Sequence, residues 1–212
     1  MNGLLFITHQ TERYSYFQSV EIALEGGCRQ IQLRMKDAPA GEVEEVARRA
    51  KMLCDTFNAA LYIDDHVDVC RNVKAAGVHL GKQDMSPSEA RRMLGNQYII
   101  GGTANTFEDI AVLYKQQVDY IGLGPFRFTS TKKNLSPVLG LEGYRRIIKQ
   151  CGEQGIFLPV VAIGGITADD IPDILQTGVS GIALSSTILC AANPVEETRK
   201  IVKQLTSKQV DK

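Results

Sequence analysis

The feature that most constrains this chain is a repeating order of short apolar runs and amphipathic segments. Eight runs of five to seven residues recur along 212 residues. Most are rich in Val, Ile and Leu without strict alternation, which is typical of parallel strands buried on both faces. The runs are LLFIT (4–8), QIQLR (30–34), ALYID (60–64), GVHLG (77–81), YIIGG (98–102), YIGLG (120–124), VVAIGG (160–165) and SGIALSS (180–186).

Segments with helical periodicity separate these runs. The segment 39–57 places Val43, Ala47 and Ala50 on one apolar stripe. The segment 86–94 begins with Ser86 as the predicted N-cap, followed by Pro87 at the first helical position and Glu89 at the third. Four further helices are predicted from caps and periodicity at 106–116, 140–151, 167–178 and 193–205, and a short, weaker one at 67–76.

A strand followed by a helix, eight times in 212 residues, predicts a single-domain (β/α)8 TIM barrel over residues 1–212. About five residues at the C terminus are expected to form a frayed tail. An open doubly wound sheet would need fewer strands and usually a glycine-rich turn after the first one. The stretch LLFITHQTER (4–13) has no such turn.

Charge and cysteine content narrow the functional classes. The 24 basic residues balance 24 acidic ones without a block of like charge, so we expect no nucleic-acid or membrane partner. No apolar run approaches the ~20 residues that span a bilayer, and the N terminus lacks the basic segment of a signal peptide. Five scattered cysteines without a CxxC predict reduced thiols and a cytoplasmic protein, with Cys28, Cys70 and Cys190 as small core residues.

Polar residues follow the predicted strands, where the chemistry of such barrels gathers. Arg34, Lys36 and Lys132 are cations able to bind a polyphosphate. Asp65 and Asp84 are the hard oxygen ligands that Mg²⁺ takes together with phosphate oxygens. Backbone N–H groups at Gly164-Gly165 and the Ser185-Ser186 pair follow the last two strands, where a phosphate frequently binds. We therefore expect two anion sites, with the loop 129–133 bridging two phosphorylated ligands.

Each of these features has a structural alternative. The cations of the second strand could form a solvated rim, and the glycine pair could serve only a tight turn. One carboxylate of the pair Asp64-Asp65 could cap the following helix. His79 lies inside an apolar run, where an interior histidine with satisfied nitrogens is more common than a ligand.

Ordered motifs along nearly the whole chain resemble those of the thiamine-phosphate synthase family. They are QLRMK, GVHLGKQD, DYIGLGPFRFTSTK, GLEG, PVVAIGGI and GIALSSTI, between residues 32 and 188. The resemblance implies a transferase that joins hydroxymethylpyrimidine pyrophosphate to a thiazole phosphate, releasing pyrophosphate and forming thiamine phosphate. It implies small phosphorylated substrates and Mg²⁺, and it leaves open whether the protein forms a homodimer.

The same resemblance assigns roles to individual residues. Arg34, Lys36 and Lys132 are the expected catalytic residues. The pyrimidine pyrophosphate would bind Gln32, Arg34, Lys36, Asp64, Thr103 and Lys132. The thiazole phosphate would bind Thr129, Thr131, Gly165, Ser185 and Ser186. Asp65 and Asp84 would hold the metal ion.

Several positions depart from the family pattern. Asp64 replaces the usual Asn of an NDR motif, and we expect Lys82, Arg34 and Mg²⁺ to balance its added charge. Thr103 and Asn105 replace Ser and His, Lys82 replaces a common Gln, and GPFRFT replaces GPIFPT. The sister thiazole tautomerases carry a histidine after the sixth-strand glycine, where this chain has Pro125. A tautomerase-like enzyme or a non-catalytic binder of thiamine precursors is the alternative.

Overall fold

Eight parallel strands form a closed barrel in which each strand pairs with the next and the last with the first. The coordinates are a computed structural model that describes residues 2–128 and 137–207. The strands are β1 (Gly3–Ile7), β2 (Gln30–Leu33), β3 (Ala60–Asp64), β4 (Gly77–Leu80), β5 (Ile99–Ala104), β6 (Tyr120–Leu123), β7 (Val160–Ile163) and β8 (Gly181–Leu184). The predicted (β/α)8 barrel is confirmed.

Helices follow every strand in the described part of the chain. They are α1 (Tyr16–Glu25), α2 (Ala40–Thr56), α3 (Val67–Asn72), α4 (Pro87–Leu94), α5 (Phe107–Lys115), α6 (Gly140–Glu153), α7 (Ile171–Leu175), α8 (Ser186–Leu189) and α9 (Pro194–Ser207). A 3₁₀ turn (Ala168–Asp170) precedes α7. The predicted tail at 208–212 lies outside the described residues.

Alternation along the strands divides the core into two layers. In β1, Leu5 and Ile7 belong to the small cluster inside the barrel, whereas Leu4 and Phe6 belong to the larger cluster between strands and helices. Successive strand residues point to opposite faces, so a buried parallel strand must be apolar on both. This explains why the runs lack a polar alternation.

Local signals account for most helix boundaries. Ser86 caps α4 as predicted: its Oγ accepts from the Glu89 N–H at 3.3 Å, and the Glu89 side chain accepts from the Ser86 N–H at 3.3 Å. We predicted neither α1 nor α8 individually. The Ser15–Gln18 capping box was the available signal for α1, whereas α8 is four residues long and has too little periodicity to be recognised.

The cysteine prediction is correct except at one residue. All five cysteines are free; Cys28, Cys54, Cys70 and Cys151 are buried. Cys190 is exposed, so its prediction as a core residue was wrong. It ends α8 as the C-cap, beyond the buried Ile188 and Leu189. No helix in the described ranges combines the length and apolarity needed to cross a membrane.

Candidate active site

Three predicted residues meet where β2 and β3 end. The Gln32 Nε2 donates to Asp64 Oδ1, and the Arg34 Nε lies 3.3 Å from Asp64 Oδ2. Gln32 and Asp64 are both buried. The Arg34 backbone is held in turn by Thr8, whose Oγ1 accepts from the Arg34 N–H at 2.8 Å and donates to its carbonyl at 3.1 Å. Asp64, the last residue of β3, therefore contacts Gln32 within β2 and Arg34 directly after it.

Lys82, one of the groups expected to balance the charge of Asp64, pairs with a different carboxylate. The Lys82 Nζ lies 2.6 Å from Asp109 Oδ2, in the first turn of α5. That oxygen also accepts the backbone N–H of Asn105 at 2.8 Å and of Thr106 at 3.1 Å. A carboxylate at a helix N-terminus is a favourable place for this contact because the free N–H groups and Lys82 stabilise the same charge. Arg34, the other cation expected to balance Asp64, pairs with it.

Asp65 and Asp84 come together at the neighbouring βα connections. Asp65 has a φ of +66°, within a tight turn in which the His66 N–H donates to the Asp64 carbonyl at 2.8 Å. Partial burial of its carboxyl group, the nearby charge of Asp64 and contact with Asp84 raise the pKa of Asp65 to about 8. The Asp84 Oδ2 accepts from the Gly81 N–H at 2.6 Å. Two acidic side chains are thus directed at one point on the rim.

This pair suits a divalent cation whose remaining ligands come from elsewhere. The described residues contain no group of three or more His, Cys, Asp or Glu side chains that could hold a metal alone. Mg²⁺ commonly binds one or two carboxylates and completes its shell with substrate phosphates and water. His66 stands at the N-cap of α3 and makes no side-chain capping bond, so neither carboxylate occupies the N-cap position that the capping alternative required.

His79 is an interior residue, as its position inside an apolar run indicated. Its Nδ1 lies 3.0 Å from the Tyr120 Oη, and its Nε2 lies 2.9 Å from the Thr103 Oγ1. Both ring nitrogens are therefore occupied below the rim. Gly101 leaves room for Tyr120, because a Cβ there would lie 2.2 Å from the tyrosine ring. This network fixes the position of Thr103, one of the expected pyrimidine-binding residues.

A second polar region follows β7 and β8. Gly164 and Gly165 have φ values of +98° and +67°, which strongly favour glycine. The backbone N–H of Gly165 donates to no residue in the described part of the chain. In the same part, the Ser185 Oγ is buried without a hydrogen-bond partner. Unsatisfied donors of this kind are what a bound phosphate requires.

Comparisons with known proteins identify the family. A family model described as thiamine monophosphate synthase matches residues 4–188. The chain belongs to the thiamine monophosphate synthase family. A thiamine-phosphate synthase of Bacteroides thetaiotaomicron is 62% identical, covering 95% of this chain and 97% of the relative. One of Phocaeicola vulgatus is 61% identical, covering 94% and 96%.

Solved structures support the same family. The thiamine phosphate pyrophosphorylase of Pyrococcus furiosus superposes with a TM-score of 0.81 at 36% identity, covering 96% of each chain.

Of the residues that family resemblance assigns, Lys36 and Ser186 are exposed at the rim. Thr129, Thr131 and Lys132 lie outside the described residues.

Departures from the family pattern have visible local consequences. Asn105, in place of the usual His, donates its Nδ2 to the Gly124 carbonyl at 2.5 Å and so joins β5 to β6. Arg127 pairs with Asp170 at 2.8 Å, joining the connection after β6 to the one after β7. We did not anticipate the roles of Thr8 and Asp170. A capping pattern, Thr167 followed three residues later by Asp170, was the one available signal for the latter.

Proposed function

We propose that this chain condenses hydroxymethylpyrimidine pyrophosphate with thiazole phosphate to form thiamine phosphate and pyrophosphate. The observation that carries the proposal is the arrangement of two anion-binding regions on one rim. Cationic and acidic residues follow β2 to β4, and donors without protein partners follow β7 and β8. In a ring of eight strands β3 and β7 are opposite each other, so two phosphorylated ligands would meet above the barrel axis.

The reaction requires charge stabilisation and positioning rather than a protein nucleophile. The bond between the pyrimidine CH₂ and pyrophosphate breaks with its electron pair on the leaving oxygen. The aminopyrimidine stabilises the resulting cation, and the lone pair of the thiazole nitrogen then forms the new C–N bond. Donors directed at the leaving group and alignment of the two reactants are the contributions that a protein can make.

The residues of the first region match those needs. Arg34 and Lys36 would bind the pyrophosphate, and Gln32 would orient the pyrimidine. Arg34 is already held by its ion pair with Asp64, at 3.3 Å, and by Thr8, so its position is set before substrate arrives. Thr103 would complete the pyrimidine site from the floor of the barrel, where His79 holds it at 2.9 Å.

The metal expected from the sequence fits the two carboxylates. Asp65 and Asp84 would hold Mg²⁺, since contact between two carboxyl groups is favourable only when a proton or a cation compensates the charge. When bound, Mg²⁺ would act as a Lewis acid that stabilises the departing pyrophosphate. Gly165, Ser185 and Ser186 would retain the thiazole phosphate. We also propose a cytoplasmic location.

The proposal is tested by supplying both substrates with Mg²⁺ and identifying the product by mass. We expect thiamine phosphate and one equivalent of pyrophosphate. A tautomerase assay on the same preparation tests the alternative, which is disfavoured because this chain has Pro125 where the sister tautomerases carry a histidine. Binding of both substrates without turnover would indicate a non-catalytic binder, and turnover in the second assay alone would indicate a tautomerase.

A further inference from the structure

The Arg127 side chain binds two residues of the connection after β7, Gly165 and Asp170. Its Nη1 donates to Asp170 Oδ2 at 2.9 Å and its Nη2 to Asp170 Oδ1 at 2.8 Å. The same Nη1 donates to the Gly165 carbonyl at 2.7 Å. A planar guanidinium that binds two carboxylate oxygens and a carbonyl restricts all three groups at once, which a lysine could not do.

The backbone of Arg127 reinforces the same contact. Its N–H donates to the Gly164 carbonyl at 2.9 Å, and a Cβ on Gly165 would lie 3.0 Å from the Arg127 Cβ and carbonyl oxygen. The backbone N–H of Arg127 therefore binds the Gly164 carbonyl, and its side chain binds the Gly165 carbonyl. Asp170 is fixed in turn, since its Oδ2 accepts from the Thr167 N–H and Oγ1, each at 2.8 Å.

We propose that Arg127 and Asp170 are positioning residues that hold the Gly164-Gly165 backbone in the orientation required to bind the thiazole phosphate. The inference rests on the proposed function and deepens it, because it assigns a role to residues outside the expected phosphate ligands. The Gly165 N–H shares a peptide group with the Gly164 carbonyl, which accepts from the Arg127 N–H, and the Arg127 side chain holds the next peptide group through the Gly165 carbonyl. With both flanking peptide groups held, the Gly165 N–H, which has no partner among the described residues, keeps one direction. A backbone donor oriented in advance binds an anion without losing further conformational freedom.

The pair differs from an ordinary surface ion pair. Exposed single contacts contribute little to stability, but bidentate geometry with fixed partners is the exception. The hydrogen bonds from Arg127 hold the pKa of Asp170 at about 2, so the carboxylate stays charged throughout the neutral range. Arg145 provides a comparison: its side chain is 47% exposed against 50% for Arg127, and it pairs with Glu142 of its own helix.

The test measures steady-state kinetics of Arg127→Gln, Arg127→Lys, Asp170→Asn and the double variant R127Q/D170N, with Arg145→Gln as the control. We expect the KM for thiazole phosphate to rise about tenfold in all four variants. The kcat and the KM for the pyrimidine substrate should stay within about twofold of the parent. A phosphate that is held equally in the ground state and the transition state affects KM and not kcat. The double variant should be no worse than either single one, as for residues acting through one contact. The control should match the parent.

Two results would overturn the inference. If Arg127 binds the phosphate directly by charge, Arg127→Lys restores the KM and Asp170→Asn leaves it unchanged. If the pair only supports folding, the variants lower the melting temperature but calorimetric titration with thiazole phosphate gives the parent Kd. Failure of the proposed function is separate, since the parent protein itself would then neither bind nor turn over thiazole phosphate.

Discussion

Asp64 illustrates how one negative charge can be accommodated in the proposed pyrophosphate site. A carboxylate and a pyrophosphate oxygen about 4 Å apart repel by roughly 4 kcal/mol at an effective dielectric near 20. In this chain the carboxylate accepts from Gln32 and is paired with Arg34 at 3.3 Å. Its charge is therefore balanced by Arg34, which directly follows β2.

We predict that Asp64→Asn preserves or lowers the KM for pyrimidine pyrophosphate, because it removes the repulsion while its amide oxygen can still accept from Arg34 and Thr8 still holds the Arg34 backbone. The unfolding free energy should fall by about 1–2 kcal/mol, since the half-buried Arg34 loses a charged hydrogen-bond partner. Kinetics and urea unfolding measure the two effects. Loss of synthase turnover by about a hundredfold would contradict this interpretation of Asp64. In a tautomerase that uses Asp64 for proton transfer, the same variant would abolish tautomerase activity.

The carboxylate pair gives a second prediction at this scale. Asp65→Ala and Asp84→Ala should each lower kcat/KM on the order of a thousandfold, because lost charge stabilisation of this kind is worth several kcal/mol. Activity of the parent should require Mg²⁺ or Mn²⁺. Asp68→Ala is the control, since Asp68 is an exposed residue in the first turn of α3. Near-normal turnover in either rim variant would refute the metal assignment.

Ser185 should show opposite effects on stability and on binding. Its buried Oγ has no partner among the described residues, so Ser185→Ala should leave the unfolding free energy unchanged or raise it by about 1 kcal/mol. The KM for thiazole phosphate should rise about tenfold, as expected for one lost hydrogen bond to a charged group. Ser180→Ala, at the opposite end of β8, is the control. An effect on kcat alone would contradict the assignment.

At the scale of elements, the loops after the strands depend on local caps that the sequence already encodes. α1, α4 and α5 each begin with a capping box, so their first turns are fixed close to the rim. The connection after β7 is different. It contains two glycines with positive φ and a 3₁₀ turn before α7, and its shape depends on Arg127 from the preceding connection.

We predict that Ser86→Ala lowers the unfolding free energy by about 1 kcal/mol, because the Glu89 N–H loses its acceptor at the start of α4. Ser88→Ala in the same turn is exposed and should change it by less than about 0.5 kcal/mol. Urea unfolding followed by circular dichroism measures both. Equal effects of the two substitutions would show that the capping box contributes nothing.

At the scale of the whole molecule, the double layer of core residues controls which side chains reagents can reach. Cys28 lies between strands and helices, and burial raises its pKa to about 11; burial likewise raises that of Cys54 and of Cys70 to about 12. A thiol with so high a pKa holds almost no thiolate at neutral pH and is unreactive. Only Cys190 is exposed among the five.

We therefore expect a thiol-specific reagent to modify one cysteine in the native protein and five after unfolding. The Cys190→Ser variant should show no prompt reaction. Spectrophotometric titration with and without denaturant gives both counts. Rapid native modification of a second cysteine would mean that the helical layer opens more readily than its burial indicates.

The sequence by itself determined the order of strands and helices, the closed barrel and the rim on which the polar residues gather. These follow from local hydrophobic periodicity and caps, and from the rule that parallel strands end at one edge. Asp65 and Asp84 could be paired in advance because they lie in the connections that follow β3 and β4, and these two strands are neighbours.

Only the tertiary structure decided which polar side chains contact each other. Gln32 and Asp64, Lys82 and Asp109, and Arg127 and Asp170 are 32, 27 and 43 positions apart. Long side chains at a rim can reach several acceptors, and small differences in loop geometry select among them. Lys82 therefore contacts the first turn of α5 rather than Asp64, and Arg127 reaches across to the connection after β7, because those carboxylates are already held by backbone N–H groups.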